Sequence, residues 1–108
     1  MGSEMRKIAL VALFSAFAFA AYAADTVVTQ SHTTFDVDSA TIKAGDSITF
    51  SNKDDVTHNI QVVDADDNLD DKGLQKPGQD IKQTFAKAGT YKIRCAIHPK
   101  MKMTVTVQ

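Results

Sequence analysis

The chain has 108 residues, with 12 Lys and Arg against 13 Asp and Glu, a formal net charge of −1 and 44% apolar residues. That length leaves room for one domain with a modest core. The balanced charge, without a dominant basic face or a series of stacking aromatics, excludes a nucleic-acid binder.

The first recognisable segment is an export signal. Arg6 and Lys7 precede an apolar run from Ile8 to Ala21, and Ala21-Tyr22-Ala23 is a small-x-small cleavage site. The run is too short to cross a bilayer comfortably and has no basic stop after it. Residues 1–23 are therefore read as a cleaved signal peptide, with Met1-Gly2-Ser3 as a cloning remnant. Residues 24–108 are then one mature domain, expected in the periplasm with no membrane attachment. Losing Glu4, Arg6 and Lys7 leaves ten basic and twelve acidic residues.

From there the pattern is β throughout. Thr26-Val27-Val28-Thr29 reads as a first strand, and Phe35 and Val37 alternate with polar neighbours. Thr41-Ile42 leads into the turn Lys43-Ala44-Gly45-Asp46, and Ser47-Ile48-Thr49-Phe50 alternates strictly. Asn59 to Val63, Ile81 to Phe85, Tyr91 to Arg94 and Val105 to Val107 continue the series. Short strands rich in Val, Ile, Thr and Phe, broken by Gly, Asp and Asn, predict an all-β sandwich or barrel. The stretch Asp64 to Gly73 has carboxylates at alternate positions. It lacks the Gly and Glu that a calcium loop needs, since Leu69 and Gln75 stand there. It reads as a solvated acidic connection ending at the Pro77-Gly78 turn.

Chemistry concentrates in Cys95-Ala96-Ile97-His98-Pro99-Lys100-Met101-Lys102-Met103. Cys95 is the single cysteine, so no internal disulfide forms, and an unpaired thiol in an exported protein needs another reason to exist. Singly, the Cys, the His and each Met have ordinary structural explanations. Together, Cys-x-x-His-x-x-Met after a strand supplies a thiolate, an imidazole and a thioether. A trigonal His₂Cys set with a weak axial Met is the blue-copper arrangement. The second imidazole is assigned to His58, which opens a strand in Thr57-His58-Asn59-Ile60. His32 lies among Ser and Thr, far from any Cys or Met, and reads as a surface residue. The expected metal ligands are His58, Cys95, His98 and Met101, with Met103 as the rival axial ligand.

The chain here resembles the cupredoxins, and within them the plastocyanin/amicyanin branch. Ile42 to Phe50 resembles the family's strand-turn-strand, and Thr57-His58-Asn59-Ile60 its first-ligand motif. Phe85, Ala88-Gly89-Thr90-Tyr91 and Arg94-Cys95 resemble its approach to the ligand loop, and His98-Pro99-Lys100-Met101 its short amicyanin-type loop. The resemblance implies a Greek-key β-sandwich, one copper ion near one end and single-electron transfer without catalysis. Two residues depart from the family pattern. Ala96 replaces the usual Ser or Thr, so the Asn59 side chain is expected to lose a hydrogen-bond partner. Ile97 replaces the usual Pro, which leaves the loop less rigid.

The leading expectation is a periplasmic type 1 copper protein shuttling single electrons, with no catalytic residues because the axial Met fills the position an enzyme would keep open. A copper chaperone or store, and a structural zinc site, are the competing readings. The resemblance implies a redox protein partner, a cytochrome c or a periplasmic dehydrogenase or oxidase, docking at the His98 edge of a monomer. Lys100 and Lys102 flank that edge, so the partner is expected to be acidic.

Overall fold

The computed structural model describes residues 22–108. The predicted signal peptide lies almost wholly outside the described residues. Nine strands are present among them: β1 (Asp25–Ser31), β2 (Thr34–Phe35), β3 (Ser39–Ile42), β4 (Ser47–Asn52), β5 (His58–Val63), β6 (Leu69–Gln75), β7 (Asp80–Thr84), β8 (Gly89–Arg94) and β9 (Lys102–Val107). They form two sheets, ordered β2-β1-β4-β7 and β3-β9-β8-β5-β6. β1 runs parallel to β4 and β3 parallel to β9, while the other pairs are antiparallel. This is the all-β sandwich that the alternating pattern predicted.

Alternation decides which side chains enter the core. On β9, Met103, Val105 and Val107 are buried while Lys102 is exposed. On β8, Ile93 points inward between the exposed Lys92 and Arg94. Phe50 and Phe85 anchor the interior, in edge-to-face contact with Phe35 at 6.0 Å and Tyr91 at 5.1 Å between ring centroids. Burying a side chain such as Phe50 contributes about 1.5–3 kcal/mol, so these positions hold the two sheets face to face. The Lys43–Asp46 turn forms as expected. Asp46 Oδ2 accepts the Lys43 N–H at 3.0 Å, and Gly45 takes a φ of +95°, which only glycine adopts without strain.

The clearest difference from expectation is β6. The acidic connection is in part a seven-residue edge strand, of which only Gln75 is buried. With both faces wet it carries no hydrophobic alternation, so nothing in its composition announces a strand. Its charges suit an unpaired sheet edge, which they protect from pairing with another chain. The turn before it is closed by Asp64, whose carboxylate accepts the Asp66 and Asn68 N–H groups at 2.9 Å each.

A metal centre at the end of the sandwich

The chain parity of β8 sets the site. Tyr91, Ile93 and Cys95 fall on one face, so the first residue beyond the strand sends its thiol into the core, where Cys95 is 1% exposed. The link from Cys95 to β9 closes on itself. The Cys95 N–H donates to the Met101 carbonyl at 3.1 Å, and the Met101 N–H to the His98 carbonyl at 2.9 Å. Both methionines enter the core, Met101 from within this loop and Met103 two residues along, paired with Ile93 on β8.

β5 delivers the other half. It pairs with β8 from Gln61↔Arg94 to Val63↔Lys92, which brings the start of β5 beside the ligand loop. The potential donor atoms of His58, Cys95 and His98 all lie within 4.8 Å of one another. His58 Nδ1 is 3.1 Å from His98 Nδ1, and Cys95 Sγ is 3.8 Å from His98 Nδ1. His32 is not among them. It is exposed in the β1–β2 turn, at a φ of +53°.

These donors suit a metal with affinity for both sulfur and imidazole. His58 Nε2 lies 2.9 Å from Asp54 Oδ2, and that carboxylate fixes the proton on Nε2, so the Nδ1 lone pair faces the cluster. Asp54 is held in turn by the Thr33 N–H at 2.8 Å. The Thr33 hydrogen bond first, and the His58 bond second, lower its carboxyl from the usual 3.8 to about 2. Around the thiol, the Asn59 N–H donates to Cys95 Sγ at 3.3 Å, which ties the sulfur to the start of β5.

Asn59 has no hydroxyl partner at Ala96, as expected, but its side chain is not left unpaired. Its Oδ1 accepts the Ala96 backbone N–H at 3.0 Å, and its Nδ2 donates to Asp71 Oδ1 at 2.8 Å and to the Gly73 carbonyl at 3.0 Å. A backbone amide does what a side chain cannot at Ala96. Neither Asp54 nor Asp71 was singled out from sequence. Asp54 stands four residues before His58, and Asp71 is one carboxylate in an acidic run, spacings too common to carry a signal.

A two-sheet β-sandwich with Cys and two His converging at one end is the architecture of a type 1 copper protein. The comparisons agree. The profile of the copper binding proteins of the plastocyanin/azurin family matches residues 22–108, and the chain belongs to that family. It is 28% identical over 100 residues to methylamine utilization protein MauL of Methylorubrum extorquens, covering 93% of this chain and 88% of that one. It is 34% identical over 71 residues to amicyanin of Paracoccus denitrificans, covering 62% of this chain and 53% of that protein. A reduced amicyanin with a proline-to-phenylalanine substitution superposes with a TM-score of 0.71 at 28% identity, covering 78% of this chain and 82% of the other. A Cu(I) amicyanin with a methionine-to-glutamine substitution gives 0.71 at 27% identity over the same shares. The chain is thus an amicyanin-like blue copper electron-transfer protein with a type 1 site.

Proposed function

We propose that the copper ligands are His58 Nδ1, Cys95 Sγ, His98 Nδ1 and, axially, the Met101 thioether, and that the protein carries single electrons in the periplasm without catalysing a reaction of its own. The observation that carries the ligand set is the convergence of three donor atoms within 4.8 Å from two different elements. Met101 is favoured over Met103 because it sits inside the closed loop, hydrogen-bonded through its backbone to both Cys95 and His98. Met103 already belongs to the regular β8–β9 ladder.

Copper would supply a one-electron couple. The protein keeps the donor atoms in nearly one arrangement for both oxidation states, because rigid elements hold them from two sides. β5 fixes His58, with Asp54 on its outer nitrogen. The closed turn fixes Cys95, His98 and Met101. His58 is fully buried and His98 half-buried, so the imidazole of His98 offers the route to the surface. The exposed Ala96, Ile97 and Pro99 are its neighbours in the loop and supply an apolar docking rim.

The partner we propose is an acidic redox protein, a c-type cytochrome or a periplasmic dehydrogenase or oxidase, meeting a monomer at the His98 edge. Beside the rim, the outer face of β8 and β9 forms an open groove of about 480 Å³ lined by Lys92, Arg94, Lys102 and Pro99, with Asp38 its one carboxylate. None of these basic side chains, nor Lys100, has a salt bridge among the described residues, so their field faces outward. Export through residues 1–23 rests on the apolar run Ile8 to Ala21. Among the described residues no helix is long and apolar enough to cross a membrane.

The deciding experiment is the visible spectrum of the mature protein with copper(II). An intense thiolate-to-copper band is expected. A colourless copper(I) or zinc complex, with no such band under oxidising conditions, would overturn the electron-transfer reading in favour of a store or a structural site.

A further inference from the structure

We infer that Asp71, on the exposed edge strand, is a positioning residue for the copper-ligand loop, acting through the amide of Asn59. The inference rests on the copper-site reading for its redox consequence, and on geometry alone for its structural one.

An Asn amide can face either way, and its hydrogen-bond partners decide which. Asn59 must present oxygen to the Ala96 N–H, at 3.0 Å, to tie down the residue after Cys95. The other end of the amide is fixed by two acceptors, the Asp71 carboxylate at 2.8 Å and the Gly73 carbonyl at 3.0 Å. With both Nδ2 hydrogens taken, only Oδ1 remains for Ala96. Turned over, the amide would set its NH₂ group against the Ala96 N–H and its oxygen against a carboxylate. The charged acceptor also polarises the amide, which strengthens the bond on its far side.

The edge strand is shaped to make this contact. Asn59 pairs with Leu74 and Gln61 with Asp71, a register shift that sets Lys72 and Gly73 against Ile60. Gly73 takes a φ of +87° at this bulge, a conformation suited to glycine. The bulge aims the Asp71 carboxylate and the Gly73 carbonyl at the same amide. Asp71 is itself secured. Its Oδ1 also accepts the Gly73 N–H at 2.8 Å and its Oδ2 the Gln61 amide at 3.1 Å, while Gln61 Oε1 accepts from Arg94 Nε at 2.9 Å. These bonds, Gly73 first, hold the Asp71 carboxyl below its ordinary range. The carboxylate of the neighbouring Asp70 accepts one hydrogen bond, from Lys72 Nζ at 3.3 Å, and removing it takes away the same charge without touching the Asn59 amide.

The test compares Asp71→Ala, Asp71→Asn and Asp70→Ala with the parent. Amide hydrogen exchange at Ala96 is measured by NMR in the copper-free protein, with Ile93 in the core of β8 as reference, and the reduction potential in the copper-loaded one. Asp71→Ala should speed Ala96 exchange about tenfold relative to Ile93, the loss of about one hydrogen bond. Asp71→Asn, which keeps an acceptor oxygen, should fall between it and the parent. Both Asp71 variants should shift the potential to more positive values, and by more than Asp70→Ala does. Ala96 exchange that stays at the parent rate, or rises only in step with Ile93, would overturn the inference. So would a potential shift in Asp70→Ala as large as in Asp71→Ala. Because exchange is read without copper, a protein that failed to turn blue would sink the copper reading and leave this result standing.

Discussion

The ligand loop and the β6 edge adjoin the start of β5, and they hold it by different physics. The loop runs from Cys95 to Met101, both 1% exposed, and is anchored by burial in the core between β8 and β9. β6 exposes six of its seven residues and is anchored by hydrogen bonds from Asp71, Gly73 and Gln75. One region is organised by apolar area, the other by polar groups, with Asp71 and Gly73 holding the Asn59 amide while Gln75 donates to the Phe50 and Gln79 carbonyls. The contrast teaches that the surroundings of a metal site need not share its burial. His58 has no exposed surface and Asp54, which orients it, is partly buried with 11% of its side chain exposed, whereas Asp71, which holds Asn59, lies on an exposed strand.

The largest effect should come from the loop. Cys95→Ser removes the only thiolate in the chain, and the copper(II) protein should lose its intense visible band and bind copper far more weakly. His58→Ala and His98→Ala should also change the spectrum, and His32→Ala should leave it untouched. A Cys95→Ser protein that stayed intensely blue would end the ligand assignment.

A second expected effect lies on the docking face. Association with the physiological partner should slow as ionic strength rises, since screening weakens steering by surface charges. The Lys100→Glu/Lys102→Glu double variant should slow it further, most of all at low salt, in stopped-flow measurements. An unchanged rate would remove this face from the encounter and leave the copper site as it is.

The two methionines sharpen the comparison inside the core. Met101→Leu should shift the reduction potential while lowering stability by less than about 1.5 kcal/mol, because the swap nearly conserves volume. Met103→Leu should leave the potential close to the parent value. Voltammetry and thermal melts of the two variants decide it, and a reversed pattern would make Met103 the axial ligand.

Acid should separate the two anchors most gently. The carboxyls of Asp54, Asp64 and Asp71 are all lowered by hydrogen bonds they accept in the folded state. Groups lowered in this way stabilise the fold fully above their unfolded value near 3.8, and lose that contribution as pH falls through the folded one, about 2 for Asp54. Between pH about 4 and 2, the amides of β6 should lose protection, relative to the intrinsic exchange rate at each pH, before those of β8 and β9 do, as the edge depends on charged acceptors and the core does not. Equal loosening of both would show that burial, not the carboxylates, holds the edge.

Much of this protein was legible in the order of its residues. Apolar residues at every second position placed β4, β5, β8 and β9, because successive side chains of a strand point to opposite faces; on β8 and β9 only one of those faces is buried, while β4 and β5 are buried at five of six positions. The grouping of Cys95, His98 and Met101 in a short span, with His58 at a strand start, marked the site, because few other roles call for thiolate, imidazole and thioether together. Tertiary structure decided the rest. β6 has two wet faces and so no period to read, and its strand character exists only because β5 offers it a ladder. The partners of Asn59 depend on a bulge at Gly73 and on a backbone N–H at Ala96, and side-chain identity alone does not reveal a backbone donor. The role of Asp54 comes from the β1–β2 turn arriving beside it, a contact between Thr33 and Asp54 that is 21 residues apart in the chain. Local pattern specifies which side chains are buried, while hydrogen bonds between distant segments depend on where the folded backbone brings them together.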